Sequence, residues 1–189
     1  MERRTKETVV KVEKCERASA DVEIPFFRHM LETFLKHSGL AACISARDLQ
    51  GFDDHHLVED VAIVLGRFLK EEFAKKVEEG TLKRFTWSLV PMDEALARCA
   101  LDVSGRGGFY GSMEFEREEI GGLALENVEH FFETLAREAR ITLHLDLLKG
   151  KNDHHKVEAL FKAFAKCVSE ALGYGGELST KGVIEINGQ

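Results

Sequence analysis

Apolar positions along this chain fall into two alternating periods. Over residues 5–16, around Val10 and Val12, every second position is apolar, which reads as a half-buried strand; Val22 and Ile24 suggest a second, shorter one. After Pro25 the period lengthens. Phe26, Met30, Phe34 and Leu35 fall on one stripe of a helix, and Gly39 supplies its C-terminal stop. Residues 42–49 again read as a strand, and after a turn at Gly51 a long helical pattern runs from His55 to about Lys76, with residues 78–80 as connector. The second half follows the same plan. Residues 92–103 and 109–115 read as strands around a turn at 104–108, although the alanines of the first would also tolerate a helix. A helix is predicted over 125–140, a strand over 141–148 and a last helix over 153–172. This order predicts an α+β fold made of a duplicated β-β-α-β-α unit, each half a mixed sheet covered on one face by helices, with lobes at 1–90 and 91–189.

Composition narrows the setting more than the fold. An apolar content of 44% over 189 residues can bury a real core. No apolar run reaches the roughly twenty residues that span a bilayer, so no membrane is expected. The opening M-E-R-R-T-K-E-T lacks the apolar stretch of a secretory signal, so a cytoplasmic location is expected. The net charge of -7, without a basic stripe interleaved with aromatics, argues against nucleic acid. Cys15, Cys43, Cys99 and Cys167 form no C-x-x-C pair, which disfavours a zinc ribbon or a disulfide framework; plain buried thiols are expected.

The candidate chemistry lies in a repeated motif. H-H-x-V-E occurs as His55, His56, Val58, Glu59 and again as His154, His155, Val157, Glu158, each copy opening a helical pattern. Asp54 and Asp153 precede the copies as candidate N-caps, with Gly51 and Gly150 in the preceding turns. Residues four apart share a helix face, so His55 aims with Glu59 and His154 with Glu158, while His56 and His155 look elsewhere. One H-x-x-x-E pair is more often a solvated ion pair than a ligand set. Two histidine pairs at equivalent places in a duplication point to metal. The preceding helices add one histidine each, His29 and His130, in the matching contexts Arg28-His29…Glu32-Thr33 and Glu129-His130…Glu133-Thr134. Eight ligands divide into two groups of three imidazoles and one carboxylate, a nitrogen-and-oxygen set suited to manganese, iron or zinc.

The remaining histidines, His37 and His144, have no counterpart in the other half and read as supporting or simply packed imidazoles. Cationic groups in turn-like settings, Arg84, Arg106, Lys162 and Lys181, together with the hydroxyls of Ser179 and Thr180, suggest a small phosphorylated substrate. Each alone is more often a surface charge. None belongs to a Walker loop or a dinucleotide fingerprint.

These residues carry a resemblance. The chain resembles the imidazoleglycerol-phosphate dehydratase family over nearly its full length: R-R-T-K-E-T, H-M-L, D-D-H-H-x-V-E-D with the following L-G, P-M-D-E-A, D-x-S-G-R, E-H-F-F, G-K-N-x-H-H-x-V-E-A-x-F-K-A and S-T-K-G-V, in that order. The resemblance implies a lyase of histidine biosynthesis with two Mn2+ per subunit. One ion would be held by His29, His56, His154 and Glu158, the other by His55, Glu59, His130 and His155. Ligands would come from neighbouring subunits of a hollow homo-oligomer of twenty-four chains. Arg84, Arg106, Lys162, Ser179 and Lys181 would meet the substrate phosphate, with Thr180, His29 and His37 beside them and Glu7 at the glycerol chain. The proton to be removed is not next to a carbonyl. A metal-bound imidazolate would therefore supply the electrons that expel the hydroxyl, and one of the carboxylates Glu7, Glu59 and Glu158, with Glu7 preferred, would take the proton. Two other readings compete: a two-metal phosphoester hydrolase, and a metal-bridged assembly protein without catalysis.

Overall fold

The computed structural model describes residues 1–173. The chain runs β1 (Glu2–Arg4), β2 (Thr8–Lys14), β3 (Ser19–Val22), α1 (Pro25–Ser38), β4 (Ala42–Asp48) and α2 (His55–Glu78), then β5 (Phe85–Met92), β6 (Ala95–Asp102), β7 (Gly108–Ser112), β8 (Glu119–Ile120), β9 (Leu123–Ala124), α3 (Glu126–Ala139), β10 (Thr142–Lys149) and α4 (Asp153–Leu172). The two four-stranded sheets have the orders β1-β2-β4-β3 and β5-β6-β10-β7. In the first, β4 is antiparallel to β2 and parallel to β3; in the second, β10 is antiparallel to β6 and parallel to β7. A parallel neighbour requires a crossover connection, which α1 and α3 provide. The α+β class and the duplicated plan are thus as the sequence predicts, with one further edge strand in each four-stranded sheet and a short β8–β9 ladder in the second half.

The helices lie across the halves. α1 and α2 cover the first sheet, α3 and α4 the second, while α1 packs on α4 and α2 on α3. Buried phenylalanines join the halves: Phe27 meets Phe131 edge-on at 5.4 Å and Phe34 stacks on Phe164 at 5.4 Å. Phe161 touches both Phe131 and Phe132. Burial of each such ring contributes roughly 1.5–3 kcal/mol, so the cross-half contact is a main part of the core. Gly66, in the L-G that follows the first motif, permits close approach of α2 and α3. A Cβ there would lie 2.8 Å from the Glu138 Cβ and 2.9 Å from the Leu135 carbonyl.

Four expectations need correction. β5 falls before the strand expected at 92–103, which is β6 alone, and Asp93 and Glu94 form the turn between them, Asp93 with φ 48°. In β5 the apolar residues Phe85, Trp87 and Leu89 face outward while Thr86 and Ser88 face in, donating to the Cys167 and Ala163 carbonyls. The alternation is therefore present with the usual polarity reversed. Asp54 sits at the N-cap of α2, but its carboxylate accepts from the Ala124 amide at 2.8 Å, and Asp53 takes the His55 amide instead. The cap of α4 is Asn152, and Asp153 is a buried first-turn residue holding the Glu116 and Arg117 amides. Finally, Cys15 and Cys43 form a disulfide, because β2 and β4 are paired neighbours and bring these distant positions side by side; only Cys99 and Cys167 are the free buried thiols expected.

Candidate metal centre

Helix pairing across the halves decides which histidines meet. α1 and α4 run side by side, so His29 and His154 approach with ring centroids 5.6 Å apart, and Glu158 lies one turn along α4. The Glu158 Oε2 is 3.2 Å from the His154 Nε2 and 3.8 Å from the His29 Nε2. Its other oxygen is 2.7 Å from the Lys162 Nζ. Burial works to raise the Glu158 carboxyl, but the nearby His29 imidazole and the Lys162 ammonium override it and hold the group down at about 2. A buried anion facing two imidazoles is the electrostatic half of a cation site.

The second cluster forms in the same way where α2 meets α3. His55 and His130 stack with centroids 4.7 Å apart, and the His130 Nε2 lies 3.5 Å from the Glu59 Oε1. The His55 Nδ1 is 3.1 Å from the Asn127 Oδ1, an acceptor, so Nδ1 carries the proton and Nε2 keeps its lone pair. The buried His130 Nε2 has no hydrogen-bond partner among the described residues. Buried polar atoms are normally satisfied, and a cation here would satisfy this one. In each cluster the three donor atoms lie within 4.8 Å of one another, so the residues present fit a metal ion on chemistry and spacing.

Each cluster thus gathers three of the four ligands the resemblance implies, and every one of the six comes from a helix pair that spans the duplication. The fourth ligands stay apart within the chain. His56 is 2.7 Å from the Glu7 Oε2, and His155 is 2.8 Å from the Glu94 Oε2 with Asp93 at 3.6 Å. Glu94 is a neighbour of the candidate ligands that the sequence reading did not single out. It precedes β6 as Glu7 precedes β2, so comparison of the two strand entries could have found it. Amide hydrogen bonds, first from Asn152, together with the His155 contact, hold its carboxyl at about 2. Asp60, next to Glu59, is a second one. Buried in α2, it binds the Arg3 Nε at 2.6 Å and the Thr8 hydroxyl, anchoring the segment that carries Glu7.

The candidate phosphate groups are dispersed. Arg84 pairs with Asp102 at 2.8 Å and covers the Phe85 ring, and Arg106, 73% exposed, lies 3.8 Å from the same Asp102. This pair sits at the far end of α4, where the Lys83 amide bonds the Ala171 carbonyl. At 1.5 Å of rise per residue, that is about 25 Å from His154. Lys162 is beside the first cluster. His37 is buried; loss of hydration, reinforced by Lys162 and Lys166, lowers its imidazole to about 4. Ser179, Thr180 and Lys181 lie outside the described residues.

A family model described as imidazoleglycerol-phosphate dehydratase matches residues 22–168. The chain is 44% identical over 188 residues to the imidazoleglycerol-phosphate dehydratase of Chlorobium phaeobacteroides, covering 96% of this chain and 92% of the relative. It is 46% identical over 186 residues to that of Metallosphaera sedula, covering 95% of each. Among solved structures, the enzyme of Pyrococcus furiosus in complex with (S)-C348 superposes with a TM-score of 0.80 at 33% identity, covering 97% of this chain and 100% of that one. That of Staphylococcus aureus gives 0.76 at 32% identity, covering 93% and 98%.

Proposed function

Because the chain belongs to the imidazoleglycerol-phosphate dehydratase family, and so acts as a hydro-lyase on imidazoleglycerol phosphate in histidine biosynthesis, we propose that it does so with two manganese ions per subunit, held where helices of different chains meet. The observation that carries the reading is the buried His130 Nε2, which faces Glu59 without a hydrogen-bond partner among the described residues, with the matching cluster of His29, His154 and Glu158 in the other helix pair. The donors are nitrogen and oxygen without thiolate, which disfavours a closed structural zinc site and suits manganese, the ion the family resemblance implies, as well as iron or open-site zinc.

His29, His154 and Glu158, with His56 of another chain, would hold one ion; His55, Glu59 and His130, with His155 of another chain, would hold the other. Divalent cations bound there would supply the charge that stabilises the deprotonated imidazole ring of the substrate and the departing hydroxyl. Glu7 is the residue we assign to proton removal. Its carboxylate is nearly half exposed and touches the side chain of a proposed ligand, His56, so it borders the reacting centre while staying open to substrate. Lys162 neutralises one Glu158 oxygen and can turn toward a phosphate. Arg84 and Arg106 would serve the phosphate of a substrate held at a neighbouring chain, because their distance from His154 within one chain exceeds the reach of a five-membered ring with a three-carbon phosphate tail.

Completion of each site from another copy makes the enzyme a homo-oligomer, and we assign it the twenty-four-subunit shell. The outer face of the second sheet supports association: Trp87, Ala100, His144 and Tyr110 form one register row across all four strands, with Phe85 and Leu89 exposed beside it. The corresponding face of the first sheet carries Lys11, Glu13, Asp21 and Arg47. No helix among the described residues is long and apolar enough to cross a membrane, and we assign the enzyme to the cytoplasm.

The test is elemental analysis combined with turnover of imidazoleglycerol phosphate by manganese-reconstituted protein. About two ions per chain with formation of the keto-phosphate product is the expected result. Release of inorganic phosphate would favour the hydrolase, and bound metal with neither product the assembly protein.

A further inference from the structure

We propose that Glu94 is a positioning residue that fixes the tautomer of His155 and presents its Nε2 as a metal ligand, a task that duplication has separated from the proton transfer assigned to Glu7. The inference rests on the two-metal reading above and deepens it.

The geometry begins with the turn that leads into α4. One oxygen of Glu94 accepts from two successive amides, Lys151 at 3.1 Å and Asn152 at 2.8 Å, and Asn152 is the residue that caps α4. The same turn packs on the start of β6: a Cβ at Gly150 would lie 3.0 Å from the Ala95 Cβ. Glu94 therefore joins the β5–β6 turn to the helix start, and its second oxygen is left at 2.8 Å from the His155 Nδ1. An ionised carboxylate can only accept, so this nitrogen must carry the proton, and the lone pair is confined to Nε2. The exposed Asp93 carboxylate lies 3.6 Å from that Nε2, beyond hydrogen-bond distance, and leaves the lone pair uncommitted.

The equivalent carboxylate of the first half is built differently. Glu7 makes the matching contact to the His56 Nδ1, at 2.7 Å, but the amides of the turn before α2 belong to Asp48, which accepts from Gln50 and Gly51, each at 2.9 Å. Asp48 thus holds the turn in the first half, while Glu94 holds both turn and imidazole in the second. A carboxylate held on both oxygens by three partners is fixed in one orientation. One held by a single imidazole contact can still change position and charge. The two halves have kept the same carboxylate-imidazole pair and diverged in what else binds the carboxylate.

Glu94→Gln separates the roles. Its amide oxygen can still accept from the two turn amides, which directs the NH2 group at the His155 Nδ1. That forces Nδ1 to accept and puts the proton on Nε2, where it blocks coordination. The measurement is manganese affinity of the intact oligomer by competition with a chelating dye, alongside melting temperature without metal and steady-state kinetics. For E94Q the metal-free melting temperature is expected to stay within a few degrees of wild type. Affinity at one of the two sites should fall about 10–100-fold, the usual effect of removing a ligand's hydrogen-bond partner, with kcat reduced more than KM is raised. Glu94→Ala, which loses both contacts, should lower the metal-free melting temperature as well. If wild type binds two ions and E94Q binds them with equal affinity, the positioning role is refuted and the two-metal reading stands. If E94Q melts as low as E94A without metal, Glu94 is a structural residue of the turn and the role is again refuted. Wild-type protein that takes up no metal would remove the two-metal reading and this inference together.

Discussion

A carboxylate that takes a proton in each turnover must be able to change charge without dismantling its surroundings, and by that standard the carboxylates near the histidines are unequal. Glu158 is buried against Lys162 and two imidazoles and held at about 2, so it is suited to remain an anion under a cation. Glu94 is tied to backbone amides. Among the described residues Glu7 has one hydrogen-bonded partner for its side chain, the imidazole of His56, and about two fifths of that side chain is open to solvent. Glu7→Gln is accordingly expected to lower kcat by about 10²–10⁴-fold, the usual contribution of a positioned general base. Metal content is to be measured on the same sample, since the amide also faces a proposed ligand. Turnover within a few-fold of wild type at unchanged metal content would show that another carboxylate is the base.

At the scale of elements, the contact between α2 and α3 sets how closely His55, Glu59 and His130 converge, and Gly66 permits close approach of the two helices. Gly66→Ala would place a methyl group 2.9 Å from the Leu135 carbonyl, a backbone atom that cannot move without shifting α3. Overpacking of this kind costs about 1–3 kcal/mol, more than the helix propensity alanine gains. The expected outcome is a lower denaturant midpoint with an unchanged slope, together with weaker metal binding because His130 is pushed from His55. An unchanged midpoint would mean that the helices can separate freely there. The elements that the sequence made legible are those whose pattern is local: the four helices, β2, β4 and β10 follow from apolar period and from punctuation at Pro25, Gly39 and Gly51. β5 was hidden because its apolar residues face outward, so polarity misreports which side is the core. The Cys15–Cys43 bond was hidden because strand register, which no local window contains, brings those residues together. The candidate ligand types could be read from the repeated motif. Their grouping into His29 with His154 and His55 with His130 depends on which helices pair, α1 with α4 and α2 with α3, and that is a property of the whole fold.

At the scale of the molecule, the two kinds of interaction that hold the protein together are separable. The core of the chain is continuous across both halves, from Val10 and Ile44 through Phe27, Phe131 and Phe161 to Leu143, and needs no ion to remain buried. The proposed metal sites lie at the helix starts, outside that core, and each lacks a fourth ligand that His56 or His155 of another copy would provide. Removing the ions should therefore break contacts between chains before it disturbs contacts within them. Dialysis against a chelator is expected to convert the assembly into smaller oligomers, seen as a fall in mass by light scattering, while far-ultraviolet circular dichroism changes little. Smaller oligomers rather than monomers are expected because the apolar row of Trp87, Ala100, His144 and Tyr110 does not depend on metal and still favours burial between copies. Readdition of manganese should restore the mass and the activity together, since the same coordination would complete both the interface and the site. A chelated sample that keeps its full mass would separate assembly from metal binding and place the fourth ligands within one chain after all.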